Sequence, residues 1–267
     1  MCSDTKFLTL SHKVVKKRLK VIACQVFRRE LSWLASQVEN FCDIEFVSFG
    51  LHNTPQQLRE FLQQRINAVT KQTFSYLESG IEYGYDYDGI VLLYGLCSNG
   101  TEGISSPSYP LVIPRAHDCI TVLLGSKERY RDYLETHRGV YWYSSGWIEN
   151  SIQPGPERRA LIYRTYVEKY GEENAAYLMQ LEENWQREYS WAVYVRWGFP
   201  VDERYQEFTR ECAQFLGWNY ESLDGDPALL RDLLLGNWDN ERFVVLAPGE
   251  KLQSSGDESI FCQGCLR

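Results

Sequence analysis

Two short apolar runs constrain the fold of this chain most, because each of them leads into a polar turn that contains a cysteine. The runs are Gly89-Ile90-Val91-Leu92-Leu93-Tyr94 and Pro110-Leu111-Val112-Ile113. Continuous apolar runs of about four to eight residues are typical of strands buried on both faces, as in a parallel sheet covered by helices. Ligands of such sheets bind beyond the carboxyl ends of the strands. We therefore expect the chemistry in the two turns, at residues 95–100 and 114–119.

The sequence before these runs alternates between strand and helix patterns. Residues 19–24 and 44–49 predict strands, and a helix with one apolar face is predicted from about residue 27 to residue 40. A second helix is predicted over residues 54–72, where an N-cap threonine precedes a proline. The order strand, helix, strand, helix, strand predicts right-handed crossovers and a largely parallel sheet.

The second half of the chain adds further helices and strands. Ser126 predicts the N-cap of a helix, residues 140–143 and 243–247 predict strands, and residues 157–197 have a mostly helical pattern. The predicted fold class is α/β, with a mostly parallel sheet in one or two Rossmann-like lobes and a helical insert. The predicted domains are a cysteine-bearing α/β lobe at residues 18–145, a helical insert with a second α/β half at residues 146–250, and a tail at residues 251–267.

Composition and charge exclude several classes of protein. The 267 residues carry a formal net charge of -8, whereas nucleic-acid-binding proteins normally present a basic face, so we expect no nucleic-acid partner. No apolar run approaches the roughly 18 residues that span a bilayer, and the N-terminal residues lack the pattern of a secretory signal. Because no apolar run is long enough to span a bilayer, we expect no membrane partner. A chain of this size needs no disulfide framework, so its eight cysteines indicate a reduced, cytoplasmic protein.

Three cysteines follow apolar strands and could converge on one point. Cys24 ends the strand predicted at residues 19–24, and Cys97 and Cys119 lie in the two polar turns. Three thiolates are the smallest set of soft ligands for a zinc ion or an iron–sulfur cluster that keeps one position open to substrate. We predict a metal site formed by these three cysteines, with His117 as a fourth candidate ligand. The alternative is that buried strand ends simply tolerate cysteine.

Polar residues in the second turn are candidates for catalysis. His117 is a possible general base, a metal ligand or a hydrogen-bonded turn residue, and Asp118 lies beside it. Arg115 is a candidate anion clamp, because its planar guanidinium matches a carboxylate or a phosphate. Such polar side chains would be costly beside a purely apolar core unless they faced a site.

Further residues are candidates for cofactor binding. The turn formed by Ser98, Asn99 and Gly100 could present backbone N–H groups to an anion. Trp147, and Trp238 with Asp239, could form pocket walls, with a packed indole as the alternative.

Two resemblances accompany these residues. The triplet His117-Asp118-Cys119 resembles the His-x-Cys zinc motif of thiol-activating methyltransferases, including those that take methyl groups from corrinoid proteins. This resemblance implies a zinc ion that keeps a bound thiol as a nucleophilic thiolate. Ala23-Cys24 and the segments at residues 94–100, 114–119, 123–126 and 236–239 resemble domain-of-unknown-function family 1638, over about residues 20–252. Members of that family are often encoded near corrinoid-dependent methyl-transfer proteins, which implies a one-carbon role by association only.

We expect a metal-binding protein with Zn2+ as cofactor, either an enzyme or an accessory protein in corrinoid methyl-group transfer within one-carbon metabolism. The expected partners are a small-molecule or thiol substrate and a corrinoid protein. Two alternatives stay open: a three-cysteine [4Fe-4S] cluster protein with redox or dehydratase-type chemistry, and a non-catalytic module that binds a small molecule or a corrinoid protein. The pair Cys262 and Cys265 is a weak metal signal, and a mobile tail is the preferred interpretation.

Overall fold

The structure is a computed structural model that describes residues 8–9, 16–76 and 81–262. Its strands are β1 (Leu8–Thr9), β2 (Arg18–Cys24), β3 (Phe41–Val47), β4 (Gln72–Tyr76), β5 (Ile81–Tyr85), β6 (Gly89–Leu93), β7 (Leu111–Pro114), β8 (Val140–Ser144), β9 (Trp191–Arg196), β10 (Asn219–Asp224), β11 (Phe243–Leu246), β12 (Gln253–Ser254) and β13 (Phe261–Cys262). Its α-helices are α1 (Arg28–Ala35), α2 (Pro55–Asn67), α3 (Cys119–Leu124), α4 (Lys127–Thr136), α5 (Ser145–Asn150), α6 (Pro156–Glu182), α7 (Asp202–Leu216) and α8 (Ala228–Leu235). Short 3-10 helices lie at Gln25–Phe27, Leu51–Asn53 and Asn184–Glu188. Cys265 lies outside the described residues.

The chain divides into two compact units. The first unit comprises the residues up to Val122 and those from Pro227 onward, and the second unit is Leu123–Asp226. The second unit is therefore an insertion in the sequence of the first. The predicted domain boundaries at residues 145 and 250 stay predictions, because compactness alone does not establish which segments fold independently.

The central sheet belongs to the first unit and has the strand order β11-β7-β6-β2-β3. Strands β7, β6, β2 and β3 are parallel to one another, and β11 pairs with β7 in the antiparallel sense. The predicted α/β fold class with a mostly parallel sheet is confirmed. The side chains of β6 and β7 are buried throughout, as the continuous apolar runs predicted.

Helix α2 covers one face of this sheet. Ile22 of β2 and Leu92 of β6 belong to the same apolar cluster as Leu58, Leu62 and Ile66 of α2. The three α2 residues are spaced four apart, so they form one face of the helix. Side chains that follow Ile22 and Leu92 by two residues point to this same face, because side chains alternate along a strand.

Several predicted element limits are confirmed and others are wrong. The side chain of Ser126 caps α4 as predicted, since its Oγ accepts a hydrogen bond from the Arg129 N–H at 3.0 Å. Helix α2 begins at Pro55 as predicted but ends at Asn67, short of residue 72. Residues 81–85, in a Tyr- and Gly-rich segment before β6, form strand β5, which was not predicted and which pairs with β4.

The second unit contains a parallel sheet of three strands in the order β10-β9-β8. The helical pattern predicted over residues 157–197 is wrong at its end, where β9 forms. Residues 192–195 of β9 are all buried, which is typical of a central strand and not of a helix with one apolar face. Strand β10 was not predicted, because its side chains are only partly buried and its pattern is weak.

Helix α6 is a helical hairpin. Its residue Gly171 has φ 78° and ψ 164°, which are not helical values. The side chains of Arg158 and Glu182 are 3.1 Å apart, and those of Arg159 and Glu183 are 2.7 Å apart. In a straight helix such pairs would be separated by about 36 Å, at a rise of about 1.5 Å per residue. The chain therefore reverses at Gly171, and two ion pairs join the ends of the hairpin.

Within the residues that the structure describes, no helix is both long enough and apolar enough to cross a membrane.

Candidate functional site

The central sheet has a switch point between β2 and β6. Strand β3 lies on one side of β2 and β6 lies on the other, although β3 precedes β6 in the chain. The connections that leave β2 and β6 therefore diverge, and in open α/β sheets the ligand-binding crevice lies beyond the carboxyl ends of such a pair of strands. Cys24 is the last residue of β2, and Cys97 lies in the turn after β6. Both thiols are thus positioned at the location where open α/β sheets bind ligands.

The turn that carries Cys97 has an unusual backbone. Cys97, Ser98 and Asn99 have φ values of 47°, 55° and 66°, so three consecutive residues with side chains are in the left-handed region. The Gly100 N–H donates to the Cys97 carbonyl at 3.0 Å and closes the turn. This conformation costs about 1–2 kcal/mol for each ordinary L-residue, so it persists only where the surroundings impose it.

Hydrogen bonds to two neighbouring segments impose this conformation. The N–H groups of Leu96 and Cys97 donate to the carbonyls of Ala116 and His117 at 2.9 and 3.0 Å, which joins the turn after β6 to the turn after β7. On the other side, the Arg59 side chain of α2 donates to the Asn99 carbonyl at 2.8 Å. The position of Cys97 is therefore set by both the sheet and the helix.

Gly95 permits the close approach of the two turns. A Cβ atom at this position would lie 2.7 Å from the backbone nitrogen of Asp118 and 2.8 Å from its Cα. Real Cβ atoms essentially never lie this close to a non-bonded heavy atom, so the second turn would have to shift. Gly100 similarly faces Leu58 of α2, at 2.8 Å from a Cβ built there. The sequence pattern did not indicate that Gly95 and Gly100 are needed for packing. The close approach of Asp118 to Gly95 and of Leu58 to Gly100 explains why neither position carries a larger residue.

Burial and neighbouring charges keep the two thiols protonated. Burial, followed by the charges of the nearby Cys24 and Asp118, raises the pKa of Cys97 to about 12. Burial also raises the pKa of Cys24. The backbone N–H of Val26, the hydroxyl of Tyr94 and the backbone N–H of Gln25 oppose this rise, because they favour a negative sulfur. Cys97 therefore interacts electrostatically with both Cys24 and Asp118.

Tyr94 is a member of this cluster that the sequence analysis did not identify. Its side chain is only 4% exposed, and burial raises the pKa of its hydroxyl, followed by the charges of Cys24 and Cys97. The hydroxyl faces the Cys24 sulfur but forms no hydrogen bond of normal geometry with any described residue. The signal for this role in the sequence was a hydroxyl-bearing residue directly after the apolar strand β6.

The remaining candidates in the second turn have structural contacts. Asp118 caps α3, since its Oδ1 accepts hydrogen bonds from the N–H and Oγ1 of Thr121 at 2.9 and 3.1 Å. Cys119 is the first residue of α3, and the side chain of His117 is exposed. Over the described ranges, no group of three or more His, Cys, Asp or Glu side chains is arranged to hold a metal ion. The predicted site of three cysteines with His117 stays a prediction.

Arg115 binds backbone carbonyls near the end of the chain. Its Nε donates to the Asn240 carbonyl at 2.9 Å, and its Nη1 donates to the carbonyls of Ser259, at 2.8 Å, and Phe261. These bonds leave at most the Nη2 group for an anion. The predicted role of Arg115 as an anion clamp stays a prediction. Its hydrogen bonds to the Ser259 and Phe261 carbonyls hold the segment at the start of β13 in place.

Trp238 and Asp239 lie at the opposite end of β6 from Cys97. A Cβ atom on Gly89, the first residue of β6, would lie 3.6 Å from the Trp238 ring. The Trp238 Nε1 donates to the Leu233 carbonyl at 2.9 Å, and Asp239 accepts from the Arg242 N–H at 2.9 Å. Neither residue joins the cysteines.

The remaining cofactor candidates are distributed over both units. Trp147 belongs to α5 in the second unit, where its N–H donates to the capping Ser144 hydroxyl at 3.3 Å. Ser98 and Asn99 are exposed in the left-handed turn beside Cys97.

Comparison with known proteins identifies a family and no activity. No curated protein and no solved structure matches the chain. The family described as "Protein of unknown function (DUF1638)" matches residues 46–234, a narrower range than the expected residues 20–252. The matched range contains Cys97 and Cys119, whereas Cys24 and Trp238 lie outside it. Because the match covers more than two thirds of the 267 residues, the chain belongs to this family of proteins of unknown function, DUF1638.

Proposed function

We propose that this chain is a metal-binding protein in which Cys24, Cys97 and Cys119 bind a zinc ion as thiolates. The observation that carries the proposal is the meeting of two thiols, from adjacent strands, at the switch point of the sheet. Thiolates are soft ligands that zinc prefers, and a site with three protein ligands keeps a fourth position for substrate.

The electrostatics of the thiol pair support a cation as the ligand. Without a metal, the two thiols are protonated, since each would carry its negative charge in a poorly hydrated place near the other. A divalent cation removes this conflict, because it neutralises both sulfurs and displaces their protons. Metal binding should therefore release protons and tighten as pH rises.

Cys119 is the proposed third ligand. It directly follows Asp118, whose charge acts on Cys97, and it begins the helix after the neighbouring strand β7. The backbone of the preceding turn is hydrogen bonded to the Cys97 turn, so the first residue of α3 follows a segment that is joined directly to the Cys97 turn. His117 is exposed and stands as an alternative fourth ligand or as a general base.

The proposed activity is thiol activation in one-carbon metabolism, as an enzyme or an accessory protein in corrinoid methyl-group transfer. Zinc lowers the pKa of a bound thiol, so the thiol stays a nucleophilic thiolate near neutral pH. The similarity of His117-Asp118-Cys119 to the zinc motif of thiol-activating methyltransferases supports this activity. The proposed substrate is a thiol, and the proposed partner is a corrinoid protein.

Elemental analysis of protein purified without oxygen and without a metal-binding tag tests the proposal. We expect about one zinc per chain in the wild type, and loss of zinc in both Cys97→Ala and Cys119→Ala with unchanged circular dichroism. The matched control is Cys42→Ala, because Cys42 lies near the amino end of β3, away from the crevice.

Three outcomes would reject zinc at these cysteines. Full metal content in either variant would exclude that cysteine as a ligand. Several irons per chain with broad visible absorption would replace zinc by the [4Fe-4S] alternative. A protein that takes up neither zinc nor iron on reconstitution would leave the non-catalytic binding module.

A further inference from the structure

The hydroxyl of Tyr94 is a buried polar group that faces the sulfur of Cys24. Its side chain is 4% exposed, and the oxygen has no hydrogen-bond partner of normal geometry among the residues described. Buried polar groups in native proteins are nearly always paired, and each exception needs an explanation. A phenylalanine would fill the same apolar cluster without this unsatisfied oxygen.

The register of the sheet places Tyr94 beside Cys24. Ala23 of β2 is paired with Leu93 of β6, and Cys24 and Tyr94 are the next residues of these two parallel strands. Adjacent strands are about 4.8 Å apart, and side chains at equivalent positions point to the same face. Both side chains accordingly belong to the cluster on the α2 face of the sheet.

The chemistry of sulfur explains why the hydroxyl is unsatisfied. A neutral thiol is a weak hydrogen-bond acceptor, so Cys24 offers the Tyr94 hydroxyl little while it holds its proton. A metal-bound thiolate carries negative charge and accepts a hydrogen bond well, since bonds to charged acceptors are shorter and stronger. A metal-bound Cys24 thiolate would therefore be a good acceptor for the buried Tyr94 hydroxyl.

We propose that Tyr94 is a positioning residue whose hydroxyl donates a hydrogen bond to the metal-bound sulfur of Cys24. This inference rests on the proposed metal site. Groups behind the metal ligands fix ligand orientation and tune the metal, and their loss weakens metal binding about 10- to 100-fold. The backbone N–H groups of Gln25 and Val26, at the start of the helical segment after β2, face the same sulfur. Tyr94 would be the only side-chain donor of these three.

A cobalt titration tests this role, with Co2+ as a coloured probe for zinc. Metal-free full-length wild type, Tyr94→Phe and Tyr109→Phe are titrated without oxygen, and the sulfur-to-cobalt charge-transfer band is recorded. Tyr109→Phe is the matched control, because it also removes a tyrosine hydroxyl from the first unit. Tyr109 lies just before β7, and its hydroxyl donates to Asp86 at 2.6 Å instead of facing a cysteine.

We expect Tyr94→Phe to bind as much Co2+ as the wild type, with a Kd about 10- to 100-fold higher and a shifted charge-transfer band. Tyr109→Phe should match the wild type in both. A Tyr94→Phe variant with the wild-type Kd and band overturns the inference and leaves the metal site standing. A Tyr94→Phe variant that does not fold also overturns it, since a purely positioning hydroxyl is not needed for folding. A wild type that binds neither Co2+ nor Zn2+ overturns the proposed function, and the role of Tyr94 with it.

Discussion

Replacement of Ser98 by glycine should stabilise the protein. Ser98 is exposed and is the middle one of the three residues in the left-handed turn, with φ 55°. A serine in this region is strained by the approach of its Cβ to the backbone carbonyl oxygen, whereas glycine has no Cβ and adopts the region freely. The substitution therefore removes strain without removing a buried side chain.

The size of the effect follows from two opposing terms. Relief of the left-handed conformation contributes about 1–2 kcal/mol to the free energy of unfolding. The greater conformational freedom of glycine in the unfolded chain lowers the free energy of unfolding by about 0.4–1 kcal/mol. We expect Ser98→Gly to be more stable than the wild type by about 0.5–1 kcal/mol, which is a small but measurable gain.

Urea unfolding followed by circular dichroism measures this difference, with Ser108→Gly as the matched control. Ser108 is also an exposed serine in a loop of the first unit, but its φ is negative, so only the unfolded-state term applies. We expect Ser108→Gly to lose about 0.4–1 kcal/mol. If Ser98→Gly is no more stable than Ser108→Gly, the turn is not strained and the argument for an imposed Cys97 geometry is wrong.

Three further perturbations test other parts of the structure. Gly95→Ala should lose about 1–3 kcal/mol of stability in urea unfolding, because its Cβ would press on the Asp118 backbone. Gly89→Ala, at the first residue of the preceding strand β6, should change little, since the nearest contact of its Cβ is 3.4 Å, and equal losses would contradict the packing argument. Gly171→Ala should cost about 1–3 kcal/mol, since φ 78° with ψ 164° is accessible almost only to glycine, and an unchanged urea midpoint would show that the hairpin bend is not strained. Burial, followed by nearby glutamates, raises the pKa of Cys212 from 9.0 to about 12. Between these two pH values the folded state keeps a proton that the unfolded state loses. The free energy of unfolding should therefore fall as pH rises above about 9, and Cys212→Ala should make this fall shallower; a parallel profile for the variant would refute the assignment.

The strands of the central sheet were predictable because burial on both faces leaves a continuous apolar run. Residues 19–24 and 89–94 carry this signal, and both form parallel strands. Strand β9 has a similar run but follows a long helical pattern, and short apolar runs do not distinguish a strand from a buried helix by period alone. Strand β10 has no such run, since its partly buried side chains give no clear alternation.

The candidate site was predictable only as a set of residue types at strand ends. Cys24 and Cys97 do follow parallel strands, as their sequence context indicated. The meeting of the two depends on β2 and β6 being neighbours, which is a long-range pairing that no local pattern encodes. The left-handed turn was equally hidden, because Ser98 and Asn99 are common in turns of every type. The role of Tyr94 required its register with Cys24, and a tyrosine at the end of an apolar run does not reveal its neighbour.

The insertion of the second unit has a consequence for how the chain folds. Strand β11 must pair with β7, and the whole segment Leu123–Asp226 lies between them in sequence. The N–H of Asp226 donates to the carbonyl of Leu123 at 3.0 Å, so the inserted segment begins and ends at one place. Closing a flexible loop of about 100 residues costs about 3 kcal/mol more in chain entropy than closing one of a few residues. If the inserted unit forms first, it acts as a short bridge between its two ends. The β7–β11 pairing then closes an effective loop of about 25 residues, with a correspondingly faster search for its register.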